Sequence, residues 1–482
     1  MISCWVLLCS AESHSTTNRN GDQKRVTVTP SPTSAAALDS RGTRRVVIAS
    51  SIGTVIEWYD FALYEAASAL VFGPLFFPEQ SAIGGALASF AVFAVAFFVR
   101  PIGGMIAAHI GDRIGRKPIL IFTVTLMGVA TVAVGLLPTY EAIGMWAPIL
   151  LVLTRMLQGI GAGAEFAGAV TAVAEYAPQN KRAFYTSFAQ ASVGLAFVLS
   201  TGFFAVLAAI PRDALLNGAW RIPFLASVVI FGVAIFIRRR VEETPEFIEA
   251  KSEISKPTTE PTKIPLLQAI KGSPRELTVG ILCGSGLNVA GYLVNTFSLS
   301  YIKTTLEMSA TVATLGVVAA TGSSIIAVPL FGILADRIGR WPVLLGGAIF
   351  TAIYMPFYFM LLDTRQSGIV VAAMVIAYGV GQSAMLGSQS AFLSELFETR
   401  YRFTAIAASR EINVMVLGGT TPFIATAMVG ATNGSPWPVV LFVVASQFLT
   451  IVSVLLARRT RRIPGTGPSN LQVRKIESQP LT

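Results

Sequence analysis

Charge is scarce in this sequence. Only 13% of its 482 residues are Asp, Glu, Lys or Arg, while 53% are hydrophobic and the mean hydropathy is +0.65. Soluble proteins carry roughly 25% charged residues, so the composition excludes an ordinary soluble enzyme. Cysteine is nearly absent as well. Cys4, Cys9 and Cys283 offer neither a disulfide framework nor a metal-ligand spacing. Two histidines, His14 and His109, are too few for a histidine-rich metal centre. No DDxxD run and no HExxH motif occurs, which removes the machinery a membrane-embedded transferase or metalloenzyme needs.

Long apolar runs fill the space that charge leaves. They fall at roughly 46–73, 83–108, 118–138, 146–172, 184–210 and 220–237, then at 277–301, 309–334, 342–362, 367–393, 403–430 and 435–457. Each reaches the ~20 residues that cross a bilayer as a helix. The expectation is an all-α membrane protein with twelve transmembrane helices in two six-helix bundles, spanning 45–238 and 277–458. Residues 1–44 read as a disordered cytoplasmic leader, 239–276 as a charged, proline-rich cytoplasmic linker, and 459–482 as a disordered cytoplasmic tail. The net charge of +10 does not signal nucleic acid. Of the 36 basic residues, Arg212, Arg221, Lys303 and Arg365 fall at one face, and Arg100, Arg155 and Arg410 fall within spans. The other 29 collect at the opposite face and in the tails, so both termini are expected to be cytoplasmic.

The chain repeats itself. "GDRIGRKP" (Gly111–Pro118) follows the second apolar run, and "ADRIGRWP" (Ala335–Pro342) follows the eighth. "EYAPQNKR" (Glu175–Arg182) and "ELFETRYR" (Glu395–Arg402) follow the fourth and tenth. Two echoes at nearly one offset indicate two halves in the same orientation, the parallel-repeat arrangement of one large transporter class. In each short loop the glycines permit a tight turn. The aspartate sits at a helix end, where it pairs with a nearby arginine or with a neighbouring helix terminus. Such a loop either fixes topology or latches the two halves, and both roles can coexist.

Carboxylates inside a membrane run are costly unless neutralised, paired or wet, yet "TVIEWYDFALYEAASALVF" contains Glu57, Asp60 and Glu65. At ~100° per residue, Glu57, Asp60 and Tyr64 fall within about 60° and form one polar stripe. Glu65 lies roughly 80° from Glu57, at the stripe's edge, and is placed toward the outer mouth. Burial disfavours ionisation and a nearby arginine favours it, so Glu57 and Asp60 are the candidate proton carriers or else a structural pair. Arg155, Gln158 and Glu165 share an arc of about 80° on the fourth helix. Arg155 and Glu165 are about 15 Å apart along the axis, so Arg155 must find its carboxylate on the first helix or on the substrate. An arginine fork matches a carboxylate in two hydrogen bonds; the alternative is a fixed bridge between helices. Gly159 and Gly163 give a small face for close helix contact. In the second half, Asn288, Tyr292 and Asn295 make one stripe, and Gln382 and Gln389 another. Amides and phenols suit a hydroxylated solute.

The loop pattern, together with "RMLQGIGAG" (Arg155–Gly163), resembles the major facilitator superfamily. "EWYDFALY", "FFVRPIGGMI", "WRIPF" and "GGTTPFIA" resemble its metabolite:H+ symporters, most of all the shikimate-transporter branch. Two departures stand out: Trp341 replaces the last basic residue of the second loop, and Ala108 stands where glycine is usual. The resemblance implies alternating access, with Gly111, Asp112, Arg113, Gly115, Arg116 and Lys117 as gating loop and Gly332, Asp336, Arg337, Gly339 and Arg340 as its second copy. It implies proton coupling through Glu57, Asp60 and Glu165. Substrate contacts are expected at Arg155, Tyr64, Gln158, Arg100 and the family glutamine Gln190, besides the stripes of the second half. The tail has no heptads and the fifth span no Gly-Pro motif, which favours proton symport of a small organic acid over osmolyte symport or drug antiport. Uptake of betaine or proline is the alternative. Glu65 and the pair Arg410–Glu411 depart from the family pattern. The expected partners are a small organic solute, H+ and the lipid bilayer. The expected setting is a bacterial plasma or inner membrane, with the chain acting as a monomer, no cofactor and no nucleic acid.

Overall fold

The computed structural model describes residues 40–114, 116–163, 179–240, 274–397 and 402–460. Among the described residues the chain is helical, and its helices group into twelve long rods. The first six are α1 (Ser40–Ala67, continued through Phe76), α2 (Ala82–Ile114), α3 (Arg116–Leu136), α4 (Trp146–Ala162), α5 (Arg182–Leu207) and α6 (Ile222–Arg240). Then come α7 (Pro274–Thr304), α8 (Ala310–Ile338), α9 (Arg340–Asp363), α10 (Ser367–Leu396), α11 (Arg402–Asn413, continued through Ala431) and α12 (Trp437–Thr460). Eight of the described helices are long and apolar enough to cross a membrane. Helix is what a hydrocarbon solvent demands, because every backbone N–H and C=O must be satisfied within the segment. Each apolar run of the sequence carries one rod; the fourth is described to Gly163.

Two sequence devices set the packing. On α4, Gly159 and Gly163 face α2: a Cβ added at Gly163 would stand 2.0 Å from the Arg100 carbonyl oxygen, and one at Gly159 2.4 Å from that of Ala96. Backbone touches backbone there, so the small-residue face is a helix contact, and it fixes the depth of Arg100. Between α8 and α9 the whole connection is Gly339, at φ 104°, a conformation that a Cβ makes costly. Arg221 donates to the Gly135 and Leu137 carbonyls at 2.9 and 2.7 Å, satisfying the last turn of α3.

Four rods contain a π-helical turn. Ser68–Phe72 in α1 and Leu293–Phe297 in α7 occupy corresponding positions of the two halves; the others are Ala377–Gln382 in α10 and Val414–Gly418 in α11. Such a turn wedges in an extra residue and disturbs the i→i−4 ladder. Nearby donors serve its carbonyls. Ser298 Oγ reaches Leu293 O at 3.0 Å, Ser383 Oγ reaches Tyr378 O at 2.8 Å, and Lys303 Nζ crosses from α7 to Leu70 O at 2.5 Å.

The halves meet along α5 and α8, where a Cβ at Gly194 would clash with Ser324 Oγ at 2.4 Å, and along α2 and α11, where one at Gly419 would meet Phe97 at 2.3 Å. At one end the halves are joined by Lys303 to Leu70 O and by Thr311 Oγ1 to Ala208 O at 3.2 Å. At the other end Asp336 accepts from the backbone N–H groups of Ala183 (3.1 Å) and Phe184 (2.9 Å), the open N-terminus of α5. Arg340 holds Asp336 at 3.3 Å and Glu395 at 2.9 Å. The two sequence echoes of the second half therefore touch.

Candidate substrate cavity and charge network

A cavity of about 870 Å³, counting its open mouth, lies between the halves. The stripe of α7 supplies Asn288, Tyr292 and Asn295; α10 supplies Tyr378, Gln382 and Gln389. Trp58 and Gln190 enter from the first half, and Arg410 and Asn413 from α11. Six sequence-predicted residues thus share one wall: Gln190, Asn288, Tyr292, Asn295, Gln382 and Gln389.

Their amides are oriented by fixed partners. Asn288 Nδ2 donates to Asn413 Oδ1 at 2.7 Å, while Asn413 Nδ2 donates to Ile281 O (2.7 Å) and Ser285 Oγ (3.1 Å). Gln382 Nε2 donates to Leu287 O at 3.0 Å, and Gln190 bridges the halves to Ser390 Oγ at 2.9 Å. The Tyr292 hydroxyl, Asn295 Oδ1 and Gln382 Oε1 are buried with no hydrogen-bond partner among the described residues. Buried polar atoms left so are costly, and a hydroxylated solute would complete them.

The first-half charges stand behind this wall. Asp60 is fully buried and accepts from Thr131 Oγ1 and from Gln158 Nε2, the latter at 2.8 Å. Gln158 Oε1 in turn accepts from Arg155 Nη1 at 3.2 Å. Arg155 therefore reaches the first helix's acid through an amide relay. Its guanidinium is boxed by the rings of Tyr64, Phe61 and Phe93 at 4.2, 4.6 and 5.1 Å, which supply cation–π attraction in place of water. Neither Arg155, Gln158 nor Tyr64 lies on the cavity wall. Arg100 forms an ion pair with Glu57 and stacks 4.7 Å above Phe61, and its Nε lies 3.8 Å from Glu411 of the other half. Removing one partner from a buried pair typically costs 3–5 kcal/mol.

Glu65 is 1% exposed, one turn before the first π turn, with no hydrogen bond to either oxygen among the described residues. Among the loop residues, Gly332 packs against Ser187, Arg337 is exposed, and Asp336, Gly339 and Arg340 stand as described. Glu165 and Gly115 lie outside the described residues, as do the side chains of Asp112, Arg113, Arg116 and Lys117 and the surroundings of Gly111. Sequence reasoning missed Trp58, Thr131 and Asn413. Asn413 was findable from its three-residue spacing to Arg410; a single threonine in an apolar helix carries no signal.

The family model described as Major Facilitator Superfamily matches residues 50–410. The chain belongs to the major facilitator superfamily. It is a transporter, not an enzyme, and a multi-pass protein of the cell membrane. It is 34% identical to the shikimate transporter of Escherichia coli (strain K12), over 87% of this chain and 95% of that one. It is 30% identical to the proline/betaine transporter of the same strain, over 91% and 89%. Its fold is that of a D-xylose–proton symporter (TM-score 0.65, 18% identity, 86% and 96% covered). It is also that of the E. coli xylose transporter XylE in a partially occluded inward-open conformation (TM-score 0.66, 17% identity, 89% and 100% covered).

Proposed function

We propose that this superfamily member takes up a small organic acid together with protons, as a monomer driven by the proton gradient without a cofactor. The carrying observation is the adjacency of two things: an amide- and phenol-lined cavity between the halves, and the buried acid–base pairs of α1, α2 and α4 directly behind it. Glu57 and Asp60 are the proton carriers. A proton on Glu57 cancels its attraction for Arg100, which then has Glu411 as its remaining acid. A proton on Asp60 does the same to the Gln158–Arg155 relay. Each change weakens or strengthens a contact that depends on how the helices sit, so protonation biases which side of the cavity opens. Rocking outward breaks Lys303–Leu70 and Thr311–Ala208; rocking inward breaks the Asp336–α5 latch. Both termini are cytoplasmic in this scheme.

The second reading is uptake of a zwitterionic osmolyte such as betaine or proline. Four aromatic side chains on the cavity wall favour it, Trp58, Phe197, Tyr292 and Tyr378, since aromatic faces bind quaternary ammonium groups. Proteoliposome uptake of shikimate, quinate, α-ketoglutarate, benzoate and glycine betaine, with and without an inward proton gradient, tests the proposal. Accumulation of an acid that needs the gradient supports it. Gradient-independent uptake sinks the coupling, and accumulation of betaine alone replaces the acid.

A further inference from the structure

We infer that Arg410 is the seat of the solute's carboxylate, and that it is part of a four-charge cluster through which a proton and an anion enter together. The inference rests on the carboxylate-solute reading above and deepens it. Among the described residues that line the cavity, Arg410 is the one charged side chain. The arginines that the family resemblance assigns to substrate lie off the cavity wall: Arg100 pairs with Glu57, and Arg155 holds Gln158 inside its aromatic box. Helical spacing gave their direction but not their depth.

The surroundings of Arg410 fit an anion held between the halves. Its guanidinium lies 5.6 Å from the ring centroid of Trp58, so a first-half indole backs a second-half cation. One turn along the same face, Asn413 is pinned by Asn288, Ile281 and Ser285. That amide pair is a ready neighbour for a hydroxyl on a solute whose carboxylate occupies the guanidinium fork. The next residue, Glu411, faces Arg100 across the interface at 3.8 Å, and Arg100 is paired with Glu57. The cluster thus contains two acids, Glu57 and Glu411, and two arginines, Arg100 and Arg410. These four charges sum to zero. Adding one proton to Glu57 leaves one positive charge uncompensated in a low-dielectric site, where such an excess is expensive. A carboxylate at Arg410 restores neutrality. Proton and monoanion therefore favour each other's binding, and their joint transfer moves no net charge.

The test uses the full chain in detergent and in proteoliposomes, with the five solutes named above. All five contain a carboxylate, so whichever is carried tests Arg410, while its identity separately tests the organic-acid reading. For the carried solute, Arg410→Gln is expected to weaken binding by at least about tenfold. It is also expected to abolish the preference for the acid over its methyl ester, a readout that a merely structural residue would not move. Undiminished acid-over-ester preference in Arg410→Gln overturns the inference even if the organic-acid reading stands. Should that variant not fold, phenylglyoxal modification of the wild type, mapped by mass spectrometry, decides instead. Protection of Arg410 by the carried solute supports the inference, and equal modification with and without solute overturns it.

Discussion

Replacing Asp336 with asparagine removes one charge from the latch between the halves and leaves its shape intact. The native carboxylate accepts from two backbone N–H groups at the open end of α5 and is held by Arg340. Asparagine keeps one acceptor oxygen. It forfeits the second acceptor, the charge-assisted part of both bonds, worth about 1 kcal/mol, and the favourable interaction with the helix end, about 0.5 kcal/mol. A loss of about 1.5 kcal/mol raises the population of the state with this latch broken roughly tenfold. The chain contains its own reporter. Cys283 is fully buried and accepts from Gln389 on the cavity wall, with Nε2 at 3.8 Å from its sulfur. With Cys4 and Cys9 changed to serine, N-ethylmaleimide should label Cys283 roughly ten times faster in Asp336→Asn than in the parent. A rate within twofold of the parent would refute the latch.

Gln158→Leu should separate Asp60 from Arg155 while preserving volume, leaving two buried charges without their shared amide. The expected loss is about 3 kcal/mol of stability, seen as a lower melting temperature, and Asp60→Asn in the same background should recover part of it. Lys303→Met should open the other end of the molecule by removing the donor to Leu70 O in the π turn. Slower labelling of Cys283 by N-ethylmaleimide would register the shift, and unchanged labelling would show that the contact does not bias the two states.

Much of the fold was legible because a bilayer leaves the chain few options. Every segment must be helical, so apolar length alone marked the rods, and the duplicated loops marked the two halves. The stripe of Asn288, Tyr292 and Asn295 was legible for the same reason, since helical spacing fixes the face a side chain takes. Depth was not legible. Arg155, Arg100 and Arg410 all point inward, and only the aromatic wall of Phe61, Tyr64 and Phe93 decides which of them reaches the cavity. The π turns left no signal either, because one extra residue in a turn changes no apolar pattern. Thr131 was invisible until Asp60 was seen against it. The enclosure of Glu65 was not legible either, because sequence spacing gives a side chain's direction and not its burial.

Gradient-driven uptake by Glu57→Gln decides whether Glu57 carries the coupled proton. Glutamine mimics the protonated acid, keeps its size and frees Arg100 for Glu411. This variant in proteoliposomes should lose accumulation against a gradient but still exchange internal for external solute when both sides are loaded. Full accumulation by Glu57→Gln under an inward proton gradient would contradict it and remove Glu57 from the proton path.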